Sequence, residues 1–252
     1  MSTVTLPRLH WGPADSSRRA LLVHGLGSSA QTQWRLAEGL AERGWSATAV
    51  DLRGHGDAPR ASRYRIDDIA DDLLGTRPEG GASWDLVVGH SIGGAAVAQA
   101  AALDAAWARR LVLLDPAIAL EKAVRDAVLA GQLANHDAAT VESIAAEFPH
   151  WHPLDVEFRV RAAKGASRFA LERMVLDNDD WDVRSHVARL TPPTLVLAAD
   201  PARGAMFTGP LAEEVLAANP RMSAVVIEGA GHSVHRDDPE ATLHHLLAFA
   251  DV

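Results

Sequence analysis

There is no cysteine among the 252 residues. That absence excludes a disulfide scaffold, a thiolate zinc site, an iron–sulfur cluster and a cysteine nucleophile together. Positive charge is scarce too: 24 Lys and Arg stand against 33 Asp and Glu, for a net charge of -9, and no basic block interrupts the chain. A nucleic-acid binder needs clustered Lys and Arg to displace phosphate counterions, so no nucleic-acid partner is expected. Between Met1 and His10 no positively charged start leads into an apolar stretch, so no secretory signal is read there. The most apolar segment, 92–108, is broken by Gln99 and Asp104 and is too short and too rich in alanine to span a bilayer. Internal repeats and low-complexity linkers are absent as well. These exclusions leave a cytoplasmic protein, monomeric or weakly self-associating, without a membrane partner.

With 48% hydrophobic residues, the chain has enough apolar surface to bury one sizeable core. Short apolar runs at 20–23, 46–50, 85–88 and 111–114 alternate with helical patterns at 31–43, at 66–74 and from 92 onward. Buried parallel strands read as continuous apolar runs joined by crossover helices, and these do. From 117 to 190 the pattern is helical without strands; strands resume at 194–198, after Pro192-Pro193, and at 224–227, and a helix over 239–250 closes the chain. The expected fold class is therefore α/β: a mostly parallel central sheet with helices on both faces. Residues 1–116 and 191–252 would form its core, and 117–190 an inserted helical cap packed on the loop edge of the sheet.

Gly89-His90-Ser91-Ile92-Gly93 is a G-x-S-x-G sequence lying directly after an expected strand and before an expected helix. A sharp strand-to-helix turn there would strain the serine backbone and would need small neighbours. Ser91 would stand at its tip, where the first amides of the helix meet developing negative charge. A serine hydroxyl needs a histidine base that is itself oriented by an acid. Asp200 and His232 each fall just past the carboxyl end of a strand, where open parallel sheets gather functional residues, and the order Ser91, Asp200, His232 is one known solution to the triad. Asp115 also follows a strand and is the second candidate acid. His235 is the rival base, but only His232 follows the Gly229-Ala230-Gly231 turn.

Together with His24-Gly25-Leu26-Gly27 and Asp51-Leu52-Arg53-Gly54-His55-Gly56, these motifs resemble, over nearly the whole chain, the α/β-hydrolase fold superfamily, in particular its small capped esterase-like members. The resemblance implies a serine hydrolase with Ser91, Asp200 and His232 as its triad and the backbone N–H groups of Leu26 and Ile92 as its oxyanion hole. It implies that His24 supports its loop instead of reacting, and His55 and His90 are read in the same way. Some relatives place the acid at the position of Asp115; the loop after Asp200 resembles that of several esterase-like members, yet departs from the commoner form.

No cofactor and no metal are expected. The histidines of His150-Trp151-His152, with His136 nearby, lack the ligand spacing of a zinc site. Trp151 and Met174 are candidate substrate-binding residues. Phe158, Ala162, Ala166 and Phe169 keep helical spacing, which reads as cap core. Arg161, Lys164 and Arg168 form a basic stripe on the same expected helix, read first as a solvated face; at the cap entrance it would suit an ester that also carries a carboxylate. The expected partner is a small-molecule ester cleaved through an acyl-enzyme. A carbon–carbon bond hydrolase, a lactonase, a thioesterase, a cofactor-free haloperoxidase and a ligand receptor with a relic triad share the same motifs and remain open.

Overall fold

The computed structural model describes residues 3–81 and 83–251. The apolar runs form strands β2 (Arg19–Val23), β3 (Ser46–Val50), β4 (Leu86–His90), β5 (Leu111–Leu114), β6 (Thr194–Ala199) and β7 (Met222–Ile227), and an unforeseen strand β1 (Arg8–Trp11) precedes them. They build one seven-stranded sheet in the order β1-β3-β2-β4-β5-β6-β7, parallel throughout except that β1 runs antiparallel to β3. No residue of β1 is fully buried, so that edge strand carries no continuous apolar run, whereas β4, β5 and β6 are buried at every position.

Alternate residues of the strands feed two cores, as the two-residue period of a strand requires. Leu21 and Val23 face one side with Ile69 and Leu73 of α2 (Ile66–Leu74) and Ala95 and Val97 of α3 (Ile92–Leu103). Ala20 and Leu22 face the other, with Leu36 and Leu40 of α1 (Trp34–Ala41). Between β5 and β6 the chain forms α4 (Lys122–Ala138), α5 (Val141–Glu147), α6 (Pro153–Gly165), α7 (Arg168–Leu176) and α8 (Arg184–Val187). After β6 come α9 (Gly209–Ala218), then α10 (Val234–Asp237) and α11 (Pro239–Ala250), whose Leu246 and Ala250 complete the second core. Pro210 falls in the first turn of α9, where proline is well tolerated.

One correction concerns the inserted helices. The spacing from Phe158 to Phe169 is not one helix: Ala166 has extended backbone angles (φ -65°, ψ 140°), which end α6 before α7 begins at Arg168. Ala162 and Ala166 are buried, but Phe158 packs half-buried against Trp34 and Phe169 is 48% exposed. The basic stripe is cut at the same place. Arg161 bonds Gln31, Lys164 is exposed, and Arg168 pairs with Asp137 and Glu172.

The site is positioned by the middle of the sheet. From β2 the chain passes to β3 on one side and later to β4 on the other, so the loops after β2 and β4 diverge from adjacent strand ends. Such a switch point is where open parallel sheets leave a crevice for a ligand.

Candidate active site

Ser91 leaves β4 with φ 55° and ψ -121° before α3 begins. Among the described residues only Ser91 and Asp115 carry a positive φ without being glycine. Such strain persists only where the surroundings over-determine it and gathers at functional positions. The turn around Ser91 is held from both sides: its amide donates to the Leu114 carbonyl at 3.1 Å, and its carbonyl accepts from Ala117 and Ala95. A Cβ on Gly93 would lie 2.4 Å from the His24 carbonyl oxygen, and one on Gly89 2.8 Å from that of Gly93. Only glycine lets α3 start this close to the strands.

The structure places Asp115, not Asp200, against the histidine. Asp115 Oδ2 accepts from His232 Nδ1 at 2.6 Å, while the same carboxylate accepts from the amides of Ala199, Met206 and Phe207. It is fully buried, and His232 keeps partial exposure toward the cavity. The reason is strand length. Leu114, the last residue of β5, pairs with Leu197, but β6 runs on through Ala198 and Ala199, so Asp200 leaves the sheet farther out than Asp115 does. Its carboxylate is taken by backbone, accepting from Gly229 and from Ala202 at 2.8 Å each, and those amides hold it below the usual carboxylate range. Asp200 thus pins the turn that leads to His232 without touching the imidazole.

Leu26 lies on the loop after β2 and Ile92 opens α3 after β4, the adjacent strand at the switch point. Neither amide has an acceptor among the described residues. The next amide, of Gly27, donates to His55 Nε2 at 3.1 Å, and His24 Nε2 accepts from the Leu52 amide at 3.0 Å. Both rings must stay neutral to accept, and burial pushes His24 down to about 4 and His55 down to about 3. His90 bonds the His232 carbonyl through Nε2. His235 lies behind it, 4.8 Å ring to ring, with both ring nitrogens buried and unpartnered among the described residues.

Over Ser91 and His232 lies a cavity of about 600 Å³, walled by α4, α5 and α6. Trp151 lines it, stacked on Phe148, with its indole N–H donating to Asp237 at 2.6 Å. Met174 does not. It is wholly buried in the core with Leu171 and Val175, on a helix that packs against α4. His150 bonds Asp237, and His152 accepts from the Leu154 amide at the start of α6, so each of the alternating histidines has a partner within the protein. No cluster of three His, Asp or Glu suited to a metal occurs among the described residues.

The family model "Alpha/beta hydrolase family" matches residues 20–244, which hold all of these site elements. The chain belongs to this family. As an alpha/beta hydrolase it is 29% identical over 242 residues to Esterase YbfF of Escherichia coli, covering 91% of each chain. It is 38% identical over 124 residues to Lipase LipV of Mycobacterium tuberculosis, a match spanning 48% of this chain and 46% of the lipase. Its fold is also that of a crystal structure of E-2-(acetamidomethylene)succinate hydrolase, with a TM-score of 0.84, 24% identity, and coverage of 99% of this chain and 96% of that one. Two cavity residues of this hydrolase escaped sequence reading, Arg159 on α6 and Arg236 on α10. Arg159 sits two positions before the exposed stripe and Arg236 four after His232, and nothing in either spacing separates a cavity arginine from a surface one.

Proposed function

We propose that this hydrolase cleaves a small carboxylic ester through an acyl-enzyme, with Ser91 as nucleophile, His232 as general base and Asp115 as the orienting acid. The observation that carries the reading is the 2.6 Å bond from His232 Nδ1 to buried Asp115, at the strand end next to the strained Ser91 turn. With Nδ1–H committed to Asp115, Nε2 is the free acceptor. Ser91 Oγ attacks the carbonyl carbon while its proton passes to Nε2, and the carbonyl π electrons move onto an oxyanion facing the Leu26 and Ile92 amides. Collapse breaks the ester C–O bond, and the alkoxide leaves as the alcohol with the proton from Nε2. Water then repeats the sequence, releasing the acid and restoring Ser91. The relatives to which the chain is similar include an esterase and a lipase, names for enzymes that cleave esters.

Residues 117–190 serve in this reading as a cap over a core of 1–116 and 191–252. Its support is α4, which buries no residue fully yet sends Val128 and Gln132 toward the cavity. The test is direct. A fluorophosphonate probe should label the wild-type protein and not Ser91→Ala, and ester turnover should fall by about a thousandfold or more in folded Ser91→Ala. If that variant kept more than about a tenth of wild-type turnover, Ser91 would not be the nucleophile.

A further inference from the structure

The cavity wall beside the oxyanion loop carries two cations without counter-ions. Arg159 Nη1 donates to the Gly27 carbonyl at 2.9 Å, and Arg236 Nη2 donates to Ser28 Oγ at 3.2 Å. The two guanidinium groups thus come from different elements, α6 and α10, onto consecutive residues just past Leu26. Among the described residues neither lies within 4.0 Å of a carboxylate oxygen, in contrast to Arg53, whose guanidinium grips Asp72 from the buried end of α2. Arg236 is only 4% exposed, and its Nε is buried with no acceptor.

The neighbouring acids are otherwise engaged. Asp155 accepts from Trp34 Nε1 and pairs with Arg35; Asp237 accepts from His150, Trp151 and the Gly231 amide; Glu147 stands exposed at the rim. Trp151 lies 5.2 Å below the Arg236 guanidinium, which orients the cation without neutralising it. Burial, and then repulsion from Arg159, pushes Arg236 down to about 10. Arginine remains charged near neutral pH all the same. An unpaired buried charge is costly, so Arg236 held beside half-buried Arg159 on a cavity wall points to an anion that completes the site. Planar guanidinium forks match a carboxylate, which can accept two N–H groups from each side.

We infer that the substrate carries, besides the scissile ester, a carboxylate that seats between Arg159 and Arg236. The inference rests on the reading of Ser91 as nucleophile and deepens it by naming the substrate class. Ser28 is two residue steps beyond Leu26, a span of at most about 7 Å, so the carboxylate lies a few bonds from the scissile carbonyl. Short half-esters of dicarboxylic acids have that spacing. These arginines, not the exposed stripe of Arg161, Lys164 and Arg168, supply the positive charge.

The experiment compares kcat/KM for monomethyl glutarate and dimethyl glutarate, which differ in one capped carboxylate, and adds acetylated glycolate as a carboxylate on the alcohol side. The wild-type protein should favour one of the carboxylate-bearing esters over the diester at least tenfold. That ratio should fall at least tenfold in Arg159→Gln, chiefly through KM, and recover in part in Arg159→Lys. Arg159 is half-buried, so the comparison stands even if Arg236→Gln does not fold. Calorimetry with glutarate on Ser91→Ala gives a readout free of turnover, and binding there should weaken at least tenfold when Arg159→Gln is added. Equal rates on all three esters, with glutarate unbound and Ser91 still labelled by the fluorophosphonate, would overturn the carboxylate site and leave the serine hydrolase standing. Unlabelled Ser91 with glutarate bound would support the site and overturn the nucleophile.

Discussion

Five hydrogen-bond contacts converge on the Asp115 carboxylate, four of them from backbone amides and the fifth from His232. The amides fix the carboxylate and compensate its burial, and in the proposed triad it holds the imidazole by Nδ1, leaving Nε2 free for Ser91. In Asp115→Asn the side-chain amide can present N–H to Nδ1, which selects the wrong tautomer. We expect kcat to fall by about three to four orders of magnitude in the folded variant. Asp200→Asn should keep kcat within a fewfold and lower the melting temperature slightly, because its bonds go to Ala202 and Gly229. Steady-state kinetics beside circular dichroism decide it; a larger kcat loss in Asp200→Asn would return Asp200 to the triad. The strained turn at Ser91 and the place of His232 on the cavity were legible from local motifs. The acid was not, because Asp115 and Asp200 both follow strands, and only the two-residue overhang of β6 beyond Leu197 separates them.

Among the elements, the β4–α3 junction leaves the least room for change. Gly93 belongs to the first turn of α3, and its Cα passes against the Val23 and His24 carbonyls at the end of β2. A methyl group there would meet backbone, which cannot rotate away, so α3 would have to shift together with the Ile92 amide. Gly93→Ala should cost about 1 to 3 kcal/mol, as overpacking does, and should also reduce kcat. Urea unfolding and turnover on one preparation test this. An unchanged kcat would show that the Ile92 amide does not depend on this contact. The same scale separates legible elements from hidden ones. β4, β5 and β6 are buried on both faces and announce themselves as apolar runs; β1, which has no fully buried residue, does not. Helical spacing carried Phe158 to Phe169 across a break, because a two-residue extended link at Ala166 and Ser167 leaves the apolar period nearly in phase.

For the molecule as a whole, acid should act on the fold through buried histidines that take no part in the proposed proton transfer. His24 and His55 lie fully buried and accept from the Leu52 and Gly27 amides, joining the loops after β2 and β3. Their folded-state values, about 4 and about 3, lie below the ordinary value of 6.5 that they regain on unfolding. Above 6.5 both states are neutral and the full stability is present; below it the unfolded chain binds protons that the folded one refuses. At pH 5 each histidine has therefore withdrawn about 2 kcal/mol, a large share of a total stability of roughly 5 to 15 kcal/mol. Burial lowers His90 and His235 in the same direction. The urea midpoint should consequently drop steeply between pH 7 and pH 5, and His55→Gln should flatten that drop. The loss should also reach the proposed oxyanion hole, because protonated His55 Nε2 can no longer accept from Gly27, the neighbour of Leu26. A midpoint equal at pH 7 and pH 5 would mean that His24 and His55 do not resist protonation in the folded state.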